Sequence, residues 1–240
     1  MRNALIIARR EIDAYFVSPI AYVVIAAYLV VMGILFSLIV AGQPGAEASL
    51  RFVFGNVFSA LILVIVGPLL TMRLLAEEQR SHTIELLLTA PVRDAEVVVG
   101  KYLASLVVFL AMLAPTLVYP ALIARFGNPD RALFLTTYCG LILLGMAILA
   151  LGVFTSSLTE NQVVAAFAGL GLTLVFTFSE FFAGVVGAPL SGLFSYLGLF
   201  AHFFDFLRGV IDTRDIIYYL SVTVGALFLA TQVLATRRWR

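Results

Sequence analysis

The sequence predicts an all-α integral membrane protein with six transmembrane helices in a single domain, residues 1–240. The 240 residues are 62% hydrophobic and 12% charged, with a mean hydropathy of +1.07, whereas soluble domains carry roughly 25% charged residues. Uncharged runs of about 20 residues or more, long enough to cross a bilayer as helices, recur along the chain. Short breaks such as "AGQPGAE" and "RFGNPDR" separate these runs with turn-forming residues.

Charge and cysteine content narrow the functional classes. The net charge of +1 points to no particular partner, and we expect no nucleic-acid binding. The single cysteine, Cys139, excludes an intrachain disulfide and a cysteine-based metal cluster. The N-terminal charges extend to Asp13, and the apolar run after them is too long for a signal-peptide core, so we expect no cleaved signal.

The first element is expected to be a helix over residues 2–16 that lies in the membrane interface. Leu5, Ala8, Ile12 and Tyr15 recur at helical spacing, while the charged residues of this segment point elsewhere. A solvated tail is the alternative. The six spans are expected at about residues 19–41, 53–75, 102–124, 133–155, 163–184 and 216–235.

A further uncharged window, residues 181–204, is open to two interpretations. As a seventh span it would place the C-terminal "TRRWR" outside. With six spans, ten of the fifteen basic residues lie on one side together with both termini, and the positive-inside rule makes that side cytoplasmic. Because "GAPLSG" also divides the window, we expect a re-entrant hairpin on the outer side between spans five and six.

The loop between the second and third spans is rich in charge. Arg73 to Lys101 contains four of the fifteen basic and five of the fourteen acidic residues. "LLAEEQR" is expected to prolong the second span, with Arg73 and Glu77 spaced i,i+4. Ser81 then fits a helix N-cap and Pro91 a helix end, which predicts a short helix over about residues 81–90.

This short helix would present an apolar face. Helices below about 12–15 residues are marginal in water, so it needs a surface to pack against. It is either a connector that rests on the bundle and bilayer, or a docking element for a cytosolic partner with a groove. The apolar face would consist of Ile84, Leu87 and Leu88.

The segment "MRLLAEEQRSHTIELLLTAPV" resembles the signature of ABC transporter permeases of the type-2 exporter class, closest to the gliding-motility-type permease subunits. That pattern runs as Arg, Ala-Glu-Glu, a basic residue, Ser-Gly-Thr, and an acidic-leucine run that ends in Pro. His82 stands where the family usually has Gly, which bears on any close backbone approach there. The matching positions are Arg73, Ala76, Glu77, Glu78, Arg80, Ser81, Thr83, Glu85, Leu87, Leu88 and Pro91.

The resemblance extends over the whole chain and implies a function. The loop would be the coupling helix, docked into a separate ABC ATPase subunit that binds ATP and Mg²⁺. The resemblance also implies export across a bacterial-type inner membrane, and pairing with a second permease copy or with a related membrane subunit that has a large extracytoplasmic domain. The implied ATPase contacts are Glu77, Glu78, Arg80, Ser81, Thr83, Ile84, Glu85, Leu87, Leu88 and Pro91.

Catalysis by this chain itself is not expected. The only Gly-Lys pair, Gly100-Lys101, lacks the G-x-x-x-x-G-K-[ST] spacing of a P-loop, so ATP hydrolysis would belong to the partner. His82 and His202 are predicted on opposite sides of the membrane and therefore share no metal. Two serines and Asp205 share the outer hairpin with His202, but no strained nucleophile turn marks a hydrolase.

The outer end of the fifth span holds the one candidate for intramembrane charge, Glu180. The spans are otherwise almost free of charge, which disfavours ion-coupled transport. Glu180 is expected either to pair with Arg208 or Arg214, or to help line an outward exit. The possible outer-gate residues are Glu180, Phe181, Phe182 and His202.

Three functional classes stay open at this point. The apolar interior favours an exporter of a lipid-like or amphipathic substrate, with membrane lipid as a partner. A non-transporting mechanotransmission complex would use the same loop to relay ATP hydrolysis to an extracytoplasmic partner. A membrane anchor without an ATPase is the third class.

Overall fold

The computed structural model describes residues 2–42, 50–81, 92–126, 131–184 and 187–237. Within these ranges every regular element is a helix and none is a strand, as the composition predicts. The α-helices are α1 (Arg2–Val17), α2 (Pro19–Gly42), α3 (Leu50–Phe54), α4 (Val57–Thr71), α5 (Arg73–Arg80), α6 (Asp94–Leu113), α7 (Val118–Phe126), α8 (Arg131–Leu158), α9 (Gln162–Thr177), α10 (Ser179–Ala183), α11 (Ala188–Leu197), α12 (Leu199–Phe206) and α13 (Thr213–Arg237).

Five helical stretches of the described chain are long and apolar enough to cross a membrane. They are Pro19–Ala41, Val57–Arg80, Asp94–Arg125, Ala132–Leu158 and Thr213–Thr236. The apolar helix α9 has 16 residues, and α10 follows it directly after Phe178. The prediction of a multi-pass helical membrane protein is therefore confirmed.

Proline shapes two of these stretches. Pro68 lies inside α4 and has no N–H for the carbonyl of Val64. Thr173 Oγ1 of α9 lies 3.5 Å from Val64 O, although its shortest contact is to Gly169 O of its own helix, at 2.7 Å. In the third stretch, Pro115 lies at the start of a 3-10 turn over Ala114–Leu117 that joins α6 to α7.

Helix α8 is the centre of the bundle and packs against α4, α5, α6, α9, α12 and α13. One glycine on each helix allows α8 and α4 to approach closely. A Cβ at Gly152 of α8 would lie 2.0 Å from Thr71 Oγ1, and one at Gly67 of α4 would lie 2.2 Å from Ile148 Cγ2. By contrast, α2 lies at the periphery, with only 11% of its membrane window buried.

The bundle has two ends, named here after the helices that lie there. At the α1 end, Ser156 near the end of α8 contacts α5. At the α12 end, Gly140 of α8 lies against Phe206, and Asp215 at the start of α13 contacts His202. Helices α8 and α13 therefore run in the same direction, from the α12 end to the α1 end.

Helix α1 packs on the bundle by one stripe. Ala4, Ala8 and Tyr15 are buried, and Ile12 is partly buried against the core. Of the residues in the predicted apolar face, Ala8, Ile12 and Tyr15 pack on the bundle, whereas Leu5 is 65% exposed. Ala4, Ala8 and Ile12 are spaced four residues apart, so they lie on one face of α1. Helix α6 approaches this end of α1 closely at Gly100, where a Cβ would lie 2.7 Å from Ala4 O.

Candidate functional site at the α1 end

The structure describes part of the predicted contact loop. Glu77, Glu78 and Arg80 belong to α5, and Ser81 follows it with its hydroxyl donating to Glu77 O at 2.8 Å. Arg80 and Glu77 are exposed, whereas Glu78 is half-buried and points into the bundle. The remaining predicted residues, Thr83, Ile84, Glu85, Leu87, Leu88 and Pro91, lie outside the described residues, as does His82.

A buried ammonium lies beneath this loop. The Lys101 side chain is 1% exposed, and its Nζ donates to Glu11 Oε1 and to Glu78 Oε1, each at 2.9 Å. Arg10 Nη2 adds exposed contacts at 3.4 Å to Glu11 and 3.3 Å to Glu78. Because a buried charge requires partners, these two carboxylates are what allows Lys101 to remain in the core. The cluster joins α1, α5 and α6.

Helix α5 is also capped from α8. Ser156 Oγ accepts from the backbone N–H groups of Leu75 and Ala76, both at 3.1 Å, and donates to Met72 O at 2.9 Å. The N–H groups of a helix's first turn have no partner within it, so Ser156 supplies what the α4–α5 junction lacks. One turn later, Gln79 Nε2 donates to Ser157 O at 2.9 Å.

Arg73 ties the start of α5 to α1. Its guanidinium donates to Ser18 Oγ at 3.0 Å and lies 4.5 Å from the centre of the Tyr15 ring, so it turns toward α1 and not toward Glu77. The Tyr15 hydroxyl donates to Leu70 O. Burial raises the pKa of Tyr15 above its ordinary value, although the nearby Arg73 charge opposes the shift, so the hydroxyl stays protonated as this donor.

A second anchor holds α1 further toward its start. Asn3 Nδ2 donates to Glu96 Oε2 at 3.1 Å, and that carboxylate also accepts from the Arg93 N–H at 3.3 Å. Together with Lys101 and Arg73, this contact makes α1, α5 and the first turns of α6 one connected unit. The unit carries the charged loop on α5 and α6 and contacts the central helix α8.

Sequence reasoning missed Lys101 as part of the site. It used Lys101 as the charge that ends the loop, whereas the residue is buried within α6. Two features of the sequence point to its position: Gly100, which permits close approach of α1, and Glu11 and Glu78, which supply opposite charge. These features belong to three separate segments, so only the fold brings them together.

The predicted outer-gate residues lie on two helices at the α12 end. Glu180, Phe181 and Phe182 are exposed on α10, and among the described residues no ion pair joins Glu180 to Arg208 or Arg214. His202 lies on α12 with its side chain 10% exposed, between Asp215 and the carbonyl of Tyr196.

The hydrolase alternative at the α12 end also lacks support in the contacts. Both ring nitrogens of His202 are engaged, Nδ1 by Asp215 and Nε2 by Tyr196 O. Ser195 Oγ donates to Gly192 O at 3.0 Å, so its hydroxyl bonds within its own helix. His202 therefore has no nitrogen left to accept a proton from this serine.

Fold and site together define a multi-pass helical membrane protein in which the two helices that flank residues 82–91, α5 and α6, are joined by a buried ion pair at one end of the bundle. Residues 41–236 match the family model described as ABC-2 family transporter protein. The chain therefore belongs to the ABC-2 transporter family and is a membrane component of an ABC transporter, a class that works with an ATP-binding partner subunit. No curated protein matches the chain.

Proposed function

We propose that this chain is the permease subunit of an ATP-driven ABC exporter, and that residues 81–90 form the coupling helix on which a separate ATPase subunit acts. The ATPase would hold ATP and Mg²⁺, and its closure would drive alternating access in the membrane subunits. Membership of the ABC-2 family supports the ATP-binding partner, and the charge of the loop supports a soluble one.

The observation that carries the proposal is the position of Lys101. The loop leaves α5 shortly after Glu78 and returns into α6 shortly before Lys101, so the 2.9 Å contact between these side chains ties its two stems together. Glu11 ties both stems to α1. A displacement of the loop would therefore move α1, α5 and α6 together and would reach α8 through Ser156. This arrangement suits a loop that receives force from a partner.

We propose six membrane crossings, with α9 and α10 together as the fifth. Gly169 of α9 lies beside Thr155 toward the α1 end, while Ser179 of α10 donates to Phe194 O of the hairpin at the α12 end. As helix, Gln162 to Ala183 would span about 33 Å, against a hydrocarbon core of about 30 Å. Helices α11 and α12 would then form the outer re-entrant hairpin.

Six crossings place both termini and the charged loop on one side. The basic residues collect there, and the positive-inside rule makes that side the cytoplasm of a bacterial-type inner membrane. Helix α1 would lie in the cytoplasmic interface, with Leu5 and Ile6 exposed toward lipid. The chain would pair with a second copy, or with a gliding-motility-type membrane subunit that has a large extracytoplasmic domain. The hairpin would form the outer contact in either pair.

The exposed side chains of the spans favour a lipid-like or amphipathic substrate. Val30, Ile34 and Leu38 of α2 and Val224 and Phe228 of α13 are exposed in the single chain. A pathway between two such subunits would be lined by apolar groups, which suit acyl chains better than a hydrated ion.

A second candidate function is mechanotransmission without transport. The observation that favours it is the reach of α8, which contacts α5 at Ser156 and α12 at Gly140. One helix thus connects the loop end with the hairpin end. An assay of lipid or drug movement by the reconstituted complex separates the two functions, because only the exporter moves a substrate when ATP is hydrolysed.

The experiment that tests the coupling helix is co-purification from native membranes in mild detergent. We compare the wild-type chain, the charged variant Leu87→Asp/Leu88→Asp and the matched apolar variant Leu87→Ile/Leu88→Ile. The expected result is that an ABC ATPase co-purifies with the wild type and the isoleucine variant and is lost from the aspartate variant, because carboxylates cannot enter an apolar groove.

Equal membrane levels of the three proteins serve as the control for insertion. Absence of an ATPase from the wild-type sample would refute the permease proposal. Retention of the ATPase by the aspartate variant would refute the coupling helix alone.

A further inference from the structure

The hairpin at the α12 end has a junction that depends on outside donors. Helix α11 ends at Leu197 and α12 begins at Leu199, with the extended residue Gly198 between them (φ −66°, ψ 104°). The last carbonyls of a helix have no partner within it. Here Tyr218 OH donates to Leu197 O, Tyr219 OH donates to Leu199 O at 2.6 Å, and a nitrogen of His202 contacts the carbonyl of Tyr196.

Both ring nitrogens of His202 are in contact with other groups at this junction. Its Nδ1 lies 2.6 Å from Asp215 Oδ1 and its Nε2 lies 2.9 Å from Tyr196 O. The ring stacks on Tyr218, with centroids 4.0 Å apart and planes inclined by 25°. The side chains of His202 and Asp215 are 10% and 5% exposed. Asp215 lies in the first turn of α13, so this contact joins the hairpin to α13.

The two contacts of His202 need two protons. A carbonyl oxygen only accepts, so Nε2 carries a hydrogen toward Tyr196 O. The 2.6 Å contact between Nδ1 and Oδ1 also needs a hydrogen between the two atoms. A neutral imidazole has only one N–H, so the closed geometry holds one proton more than a neutral histidine beside a carboxylate. Without that proton, a nitrogen lone pair would face a carboxylate oxygen.

Other charged groups near the junction are engaged elsewhere or exposed. Asp205, one turn along α12, is 44% exposed and pairs with Arg208 at 3.6 Å. Asp212 Oδ1 accepts from the Arg214 N–H at 2.8 Å. On α10, Glu180 is exposed beside Gly198.

The remaining groups around the ring add no charge. Helix α8 packs on α12 with apolar groups around Gly140, and Tyr196 and Tyr219 present ring edges to the imidazole. Among the described side chains, Asp215 Oδ2 is buried without a hydrogen-bond partner, so the contact of Oδ1 with His202 is what compensates this carboxyl group.

We infer that the His202–Asp215 pair is a proton-dependent clasp that fastens the hairpin of α11 and α12 to α13. The clasp is closed while the pair holds its shared proton. Alkaline conditions remove the proton, place two acceptors in contact and release the hairpin from α13. The clasp rests on the contacts of this chain alone; only its position on the outer side rests on the proposed topology.

The test is hydrogen–deuterium exchange of the purified full-length chain in lipid nanodiscs, from about pH 6 to about pH 10, with rates corrected for intrinsic pH dependence. We expect peptides from residues 188–206 of the wild type to lose protection as the pH rises, by roughly tenfold or more, the effect of one charge-assisted hydrogen bond. No ATPase is needed, so the result is independent of the coupling-helix test.

Two variants separate the clasp from a general effect of pH. In Asp215→Asn, the amide donates to the Nδ1 of a neutral His202, so protection is expected to be the same at both pH extremes. Asp205→Asn removes a neighbouring exposed carboxylate and is expected to behave like the wild type. Constant protection in the wild type, or an unchanged pH dependence in Asp215→Asn, overturns the inference.

A spectroscopic measurement covers the case in which Asp215→Asn does not fold. In His82→Gln, His202 is the only histidine of the chain. ¹⁵N spectra of the histidine-labelled variant are expected to show the Nδ1 resonance change with the same midpoint as the protection, because the proton between Nδ1 and Asp215 is lost there. An Nδ1 resonance that stays unchanged while the hairpin loses protection refutes the clasp.

Discussion

Replacing Lys101 with Met removes the buried cation that holds Glu11 and Glu78 and leaves the two carboxylates close together. Loss of one partner of a buried ion pair costs about 3–5 kcal/mol. The carboxylate side chains are 15% and 12% exposed, so water screens them little. Arg10 remains 3.3–3.4 Å from both but is itself 64% exposed, and it compensates only partly. We therefore expect a loss of about 3 kcal/mol, the lower end of the range.

The assay is thermal unfolding in detergent, followed by loss of the monodisperse peak in size-exclusion chromatography. For chains of this size 1 kcal/mol corresponds to roughly 2–4 °C, so Lys101→Met is expected to lower Tm by about 6–12 °C. Arg10→Gln is the matched control, because an exposed pair contributes at most about 1 kcal/mol.

A charge-free triple variant tests the physical reason for that loss. Lys101→Met/Glu11→Gln/Glu78→Gln removes the cation and both carboxylates, and it is expected to regain most of the lost Tm because no uncompensated charge stays buried. The reasoning is refuted if Lys101→Met unfolds within about 2 °C of the wild type. It is also refuted if the triple variant is no more stable than the single one.

Two further substitutions test the packing around α8. Gly152→Ala is expected to destabilise the chain by about 1–3 kcal/mol, because its Cβ would lie 2.0 Å from Thr71 Oγ1. Gly171→Ala is the matched control, since no heavy atom lies within 4 Å of its Cβ. This variant should unfold at or slightly above the wild-type Tm. Ser156→Ala is expected to lower the free energy of unfolding by about 1–3 kcal/mol and to speed amide exchange in α5, since two N–H groups lose their acceptor. Unchanged exchange of the Leu75 and Ala76 amides would contradict that role.

Hydropathy was sufficient for the class of fold, because crossing a bilayer imposes a length and a composition that are visible in one dimension. Six spans were expected, whereas five described helical stretches are long and apolar enough to cross a membrane. The prediction of the third span shows the limit. It began at residue 102, after Lys101, but α6 begins at Asp94. Hydropathy alone did not show that the helix continues on both sides of Lys101, where Glu11 and Glu78 compensate the lysine within the bundle.

The fifth predicted span shows a different limit. The sequence has one uncharged run over residues 161–179, but the helix ends at Thr177 and resumes at Ser179. Hydropathy does not report this break, because Phe178 is as apolar as its neighbours. The break turns Ser179 toward the hairpin, where its hydroxyl donates to Phe194 O at 2.8 Å. Tertiary contact, and not local composition, determines where this helix ends.

The candidate site was predictable only in part. The motif in the loop indicated Glu78 as a contact for the ATPase, but it did not indicate the bond between Glu78 Oε1 and Lys101. Likewise, the outer-gate hypothesis named His202 but not its partner Asp215 on the next helix. In both cases the partner is distant in sequence or belongs to a different element, and the spacing of residues along one helix carries no information about it.

The close contacts at Gly67 of α4 and Gly152 of α8 prevent these two helices from sliding past each other. Sliding α8 past α4 would force Thr71 and Ile148 out of contacts that leave no room for one additional methyl group. Helices α4 and α8 are therefore expected to move as one rigid unit. Helix α2, with little of its surface covered by the chain, lacks such interlocking side chains over most of its length. A change in helix arrangement is therefore expected to be easier at α2, on the periphery, than between α4 and α8.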